Sequence, residues 1–264
     1  YVLSDGQRIA DFEQMLGFVA PDIPVLTLPA WDCLPYDRVS PGADTEARRL
    51  SALAGLVAHA QKPHPAIILV TVNAMLQKLP PREIVASLGF SARAGQVIDM
   101  DQIVHRLADA GFERVPTVRA VGEYAVRGGI LDVFVPGAEN GVRLDFFGDT
   151  LETIRAFDAA SQRTIGTVKS LELNAMSEVT LGDDNIARFR KNYLSMFGAA
   201  TRDDALYQAV SEGRRYAGME HWLPLFYERL ETMFDYLGGF SVVVDRTARE
   251  AAAERAALIE DYYQ

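Results

Sequence analysis

Cysteine is almost missing from these 264 residues. A lone Cys33 cannot close an internal disulfide, which excludes a disulfide-stapled fold and fits a reducing cytoplasm. Histidine is scarce too: His59, His64, His105 and His221 are scattered, and no pair has the spacing of a zinc-type or helical metal site. Long apolar runs are also lacking. The longest, 66–76, is too short and too polar to span a bilayer, and it reads as a buried strand running into a helix. No signal peptide opens the chain. Basic excess is missing as well, with 26 Lys+Arg against 36 Asp+Glu, a net charge of −10 and a pI near 4.9. Such a chain repels DNA on average, so it is not a DNA clamp, although a local basic patch remains open to it.

Familiar catalytic signatures are equally thin. A phosphate-binding Walker A loop needs Gly-x-x-x-x-Gly-Lys-Ser/Thr, whose amides wrap the phosphates while the lysine neutralises them. The corresponding turn here, Leu3-Ser-Asp-Gly-Gln-Arg8, has one glycine, no lysine and an aspartate. There is no Gly-x-Ser-x-Gly elbow. Cys33 sits beside Trp31 and Leu34 and reads as a packed thiol. The acid pairs Asp183-Asp184 and Asp203-Asp204 read as helix starts, where carboxylates stabilise exposed amides. No catalytic, metal or cofactor residue is assigned.

What is present is a core-forming chain, 49% hydrophobic and 23% charged. Tyr1-Val-Leu3, 25–28 and 66–72 read as strands, alternating with helices over 4–16, capped by Ser4 or Asp5, and 44–61. Strand–helix alternation predicts a parallel sheet covered by helices. Beyond Pro80-Pro81 the rhythm changes. A helix over 100–110, closed by Gly111, leads into strands over 113–119, 123–126, 130–135, 142–147 and 151–157, a compact antiparallel unit. Helices return over 185–197, 203–212 and 247–263, and 240–244 reads as a buried strand. The expected fold class is α/β: a parallel-sheet domain split by a small inserted α+β domain, with divisions at 1–88, 89–175 and 176–264. Opening on Tyr1 as it enters a strand, the chain reads as a piece of a longer protein.

The sharpest segment runs over 122–136 and continues over 142–149. Alternate strand residues share a face, so Val142, Leu144 and Phe146 point to the core while Arg143, Asp145 and Phe147 point outward. Gly148-Asp149 signals a two-residue hairpin turn, which sets Asp145 opposite Glu152 and calls for cations such as Arg143 and Arg127 nearby. Two readings stay open: a solvated face laced by ion pairs worth about 0–1 kcal/mol each, or a docking surface, where arginine and aromatic side chains dominate.

Tyr124-Ala-Val-Arg-Gly-Gly-Ile-Leu-Asp-Val-Phe-Val-Pro136 and Arg143-Leu-Asp-Phe-Phe-Gly-Asp149 resemble the hallmark of the UvrB-type module, shared by the excision-repair protein UvrB and the bacterial transcription-repair coupling factors (Mfd). The runs Leu28-Pro-Ala-Trp-Asp-Cys-Leu-Pro-Tyr-Asp37 with Ser40-Pro41, Phe157-Asp-Ala-Ala-Ser-Gln-Arg-Thr164 and Ala217-Gly-Met-Glu-His-Trp-Leu-Pro-Leu-Phe226 are similar to the coupling factors in particular. The resemblance implies a degenerate RecA-like domain without Walker A, carrying a UvrA-binding insert. It implies a non-catalytic recruitment module whose UvrA contacts are Arg127, Arg143 and Phe147, and whose parent is an ATP-driven translocase. It further implies that ATP and Mg²⁺, RNA polymerase and double-stranded DNA belong to the parent's other domains. The resemblance also implies that a C-terminal domain masks the docking surface, and that the setting is cytoplasmic with no membrane. Arg143→Ala and Phe147→Ala are expected to weaken UvrA binding with little loss of fold. The alternative is a nucleotide- or DNA-binding part of that translocase.

Overall fold

A computed structural model describes residues 1–34, 38–136, 138–198 and 204–263. The first third alternates as its pattern requires: β1 (Val2–Leu3), α1 (Gly6–Val19), β2 (Val25–Leu28), α2 (Ala43–Gln61) and β3 (Ile67–Thr71), followed by the short α3 (Val72–Leu76) and α4 (Arg82–Leu88). The strands form a parallel sheet of order β1-β3-β2. Asp5 caps α1 by accepting from the Arg8 amide at 3.0 Å, and that hydrogen bond holds its carboxyl below the usual range.

The middle third holds β4 (Phe90–Arg93), α5 (Met100–Asp109), β5 (Glu113–Arg114), β6 (Glu123–Arg127), β7 (Ile130–Val133), β8 (Gly141–Phe147), β9 (Thr150–Phe157), β10 (Thr164–Thr167) and β11 (Ser170–Leu173). Six of these make one sheet of order β10-β9-β8-β7-β6-β5, antiparallel except where β5 runs parallel to β6. β4 and β11 pair separately. The inner face carries Tyr124, Leu131, Val133, Leu144, Leu151 and Ile154, packed on Ile103 and Leu107 of α5. The last third is helical: α6 (Asp183–Phe197), α7 (Ala205–Ser211), a 3-10 turn (Met219–Trp222) leading into α8 (Leu223–Phe226), then α9 (Met233–Leu237) and α10 (Ala248–Tyr263). Asp183 and Asp184 stand in the first turn of α6, and Asp204 caps α7. The helix expected over 203–212 starts on Asp203, which lies outside the described residues.

The molecule is therefore mixed α/β, with the small β4–β11 pair beside two main sheets, one parallel and one largely antiparallel. Helix α2 ties the two together. Ala47 and Leu50 join the core of the antiparallel sheet, while Ala52, Leu53 and Leu56 join that of the parallel sheet. Among the described residues no helix is long and apolar enough to cross a membrane.

Three expectations are corrected. The run 240–244 is no buried strand: it meets β1 only through a bridge at Val2–Val244, and Val242, Val243 and Val244 are exposed. A two-residue β1 offers partners for little more, namely the bonds from the Val2 amide to the Val243 carbonyl and from the Asp245 amide to the Val2 carbonyl. The strand expected over 113–119 pairs only at its start, because Pro116 has no N–H to give and Val118 turns in to a separate apolar cluster. Asp145 faces Thr153 rather than Glu152. A bulge after Asp145/Phe146 shifts the register, removing the like-charge pair and letting Leu151 and Ile154 both reach the core.

Candidate functional site

Two tight turns stand side by side at one end of the antiparallel sheet. Gly128-Gly129 joins β6 to β7, with Arg127 paired to Ile130, and Gly148-Asp149 joins β8 to β9, with Phe147 paired to Thr150. Each turn has positive φ at its first central residue, +60° at Gly128 and +58° at Gly148, as a type II′ turn requires. Gly129 has a second constraint, since a Cβ there would lie 2.7 Å from the Phe146 carbonyl oxygen.

The outer face of this sheet has two halves. Away from the turns it is sealed by a small apolar cluster of Val118, Ala125 and Phe157, with Val115, Phe134 and Ala159 against it. Gln162, the only described non-glycine residue with positive φ, holds that cover by donating to the carbonyls of Val118 and Ala159. Toward the turns the face is open. Phe147 presents its ring to solvent at 77% exposure.

Between the halves lies Asp132, only 1% exposed. Its carboxylate accepts from Arg143 Nε at 2.7 Å and Nη2 at 2.8 Å, and from Arg127 Nη2 at 3.0 Å. That bonding holds the Arg143 guanidinium above its ordinary pKa. Arg143 also lies 5.0 Å over the Phe157 ring and is mostly covered, whereas Arg127 is half exposed. Beside them Arg155 Nη2 donates to Asp145 at 2.6 Å. Arg127, Arg143 and Phe147 thus share one end of one face. Both arginines are ion-paired, and the aromatic ring stands open. Asp132 and Arg155 escaped the sequence reading, although alternation along β7 and β9 places both on this face.

Residues 90–178 match the UvrB interaction domain family. Relatives extend over most of the chain. The transcription-repair-coupling factor of Haemophilus influenzae is 35% identical over 232 residues, 88% of this chain and 20% of that protein. The one from Rickettsia prowazekii is 32% identical over 263 residues (99% and 23%), and that of Myxococcus xanthus 39% over 224 (82% and 18%). The chain belongs to the transcription-repair-coupling factor family. It spans about a fifth of the length of the curated relatives it matches.

The UvrB interaction domain is joined to the rest of this coupling-factor chain by a buried polar junction. Arg49 of α2 donates to Glu178 at 2.5 Å, both side chains fully buried, and also to the Pro29 carbonyl and to Gln77. Trp31 Nε1 donates to the same Glu178 oxygen at 3.0 Å. Glu46 accepts from Ser177 Oγ and the Glu178 amide. Burial, with Glu220 and Glu178 nearby, pushes its carboxyl up to about 8. Ser40 donates to Glu220 at 2.6 Å and accepts from the Gly218 amide at 2.9 Å. Two of the segments that mark the family, 28–41 and 217–226, are thus physical partners, though residues 35–37 lie outside the described ones.

Elsewhere, a cleft of about 840 Å³ opens at the ends of the parallel strands, lined by Asp5, Thr27, Asp32, Arg48 and Thr71 among others. Cys33 is half-buried, its Sγ 3.8 Å from His221 Nε2. Among the described residues no group of three or more His, Cys, Asp or Glu side chains is placed to hold a metal ion.

Proposed function

We propose that this chain is a non-catalytic recruitment module of a transcription-repair-coupling factor, docking UvrA through the open end of its antiparallel sheet. One observation carries the reading: the exposed Phe147 ring shares the outer face of one sheet with Arg127 and Arg143 inside a UvrB interaction domain. A desolvated aromatic anchor flanked by arginines is the combination that concentrates binding energy at protein interfaces. The guanidiniums give acidic groups on UvrA charge-assisted hydrogen bonds. The division at 1–88, 89–175 and 176–264 belongs to this reading. So does a degenerate RecA-like origin for the parallel-sheet part, where Asp5 and Arg8 occupy the turn that would otherwise cradle a phosphate.

In the longer parent, ATP-driven translocation, RNA polymerase and double-stranded DNA belong to other domains, in the cytoplasm, and a C-terminal domain covers the docking end until the motor engages. Masking lowers apparent affinity by the fraction of open molecules, so this chain binds UvrA more tightly than its parent does. Pull-down of UvrA by the chain, quantified by calorimetry, tests the proposal. Capture that survives Phe147→Ala and Arg127→Ala unchanged would defeat it.

A further inference from the structure

Asp132 is a carboxylate in a place that needs explaining. It sits at the centre of the antiparallel sheet, 1% exposed, with the Val118–Ala125–Phe157 cluster on one side and the open docking end on the other. No partner protein can touch it. Yet it takes three hydrogen bonds, all from the guanidiniums of Arg143 and Arg127 on the same face. Burying a carboxylate is costly unless it is fully paired, and a purely structural role at this site would be filled better by an apolar side chain of similar size.

We propose that Asp132 is a positioning residue of the docking surface, its carboxylate fixing the Arg143 and Arg127 side chains in the geometry that receives the partner. The inference rests on the docking reading above. Arginine side chains lose rotamer freedom when they are immobilised at an interface, and a head group already fixed before encounter avoids that loss. Arg143 is held most firmly, clamped through both Nε and Nη2 with Phe157 beneath its plane. Arg127, held by one bond and half exposed, keeps more of its donors for the partner.

Asp132→Asn tests this, because the amide keeps the shape but puts NH₂ where one carboxylate oxygen accepted from a guanidinium. Two readouts are needed, UvrA affinity by calorimetry and hydrogen exchange at Arg143 Hε by NMR. In the wild type, unbound, that proton should exchange far more slowly than in free arginine. In Asp132→Asn it should exchange quickly and UvrA affinity should fall about tenfold. Phe147→Ala should weaken binding while leaving Arg143 Hε protected. Wild-type affinity in Asp132→Asn despite fast exchange overturns the positioning role, with the docking surface left standing by Phe147→Ala. Wild-type affinity in Phe147→Ala and Arg127→Ala together defeats the docking reading, and this inference with it. Should Asp132→Asn fail to fold, the unbound wild type decides alone: an Arg143 Hε that exchanges as in free arginine overturns the proposal.

Discussion

At the scale of single residues, the three side chains of the proposed docking end are not equivalent. Phe147 is exposed, so Phe147→Ala should cost the fold no more than about 0.5 kcal/mol while weakening UvrA binding by about 1–3 kcal/mol. Arg143→Ala cannot be so clean. It leaves Asp132 buried with only Arg127 for company, and removing one partner of a buried pair costs about 3 kcal/mol or more. Thermal melts beside calorimetric titrations of the two variants check this; equal melting temperatures would refute it. Little loss of fold is therefore expected of Phe147→Ala alone, and a clear loss of stability of Arg143→Ala. Glu46 gives a second prediction. Its folded pKa, about 8, lies above the usual 4.5, so the stability of its neutral form is complete below pH 4.5 and is lost as pH rises to 8. Glu46→Gln, permanently neutral, should gain on the wild type across that window, reaching roughly 5–10 °C in Tm near pH 8. A difference that stays flat from pH 5 to pH 8 would contradict it.

At the scale of elements, the turns carry the argument. Gly128-Gly129 is constrained twice over, by positive φ at the first glycine and by the Phe146 carbonyl at the second. Gly129→Ala should destabilise by about 1–3 kcal/mol and spread the two turns, lowering UvrA affinity as well. A melt and a titration suffice, and an unchanged Tm would show that the hairpins slide past each other freely. Elements of this kind were legible in the sequence because they are local. Strict alternation in β8 revealed its two faces, Gly148-Asp149 revealed its turn, and helical spacing revealed α2. What was not legible depends on partners distant in the chain. The bulge opposite Asp145 is settled by which β9 residues reach the core, and the β4–β11 pairing joins segments far apart. That half of the outward face is covered was not legible either, since nothing local in the sequence says that Phe157 and Val118 fold back to seal it.

At the scale of the whole molecule, the same distinction explains the long family marker at 28–41. Read locally it is a loop with no evident task. In three dimensions it is a strap: Trp31 reaches Glu178, Asp32 accepts from the Gly42 amide and Thr45 Oγ1, and Ser40 reaches Glu220 and Gly218. The two sheets are joined through α2, which is shared between their cores, and through the buried Arg49–Glu178 pair beside Trp31. The ion pair is the place to test that coupling. Arg49→Met leaves the buried Glu178 without its cation and takes one donor each from the Pro29 carbonyl and Gln77, so it should cost about 3–5 kcal/mol. More tellingly, it should divide unfolding. Calorimetry of the wild type should give one transition whose van't Hoff and calorimetric enthalpies agree. The variant should give two, with the antiparallel sheet melting apart from the parallel one. A single transition in Arg49→Met, merely shifted to lower temperature, would mean that the apolar faces of α2 alone bind the halves together and that the buried pair contributes stability without coupling them.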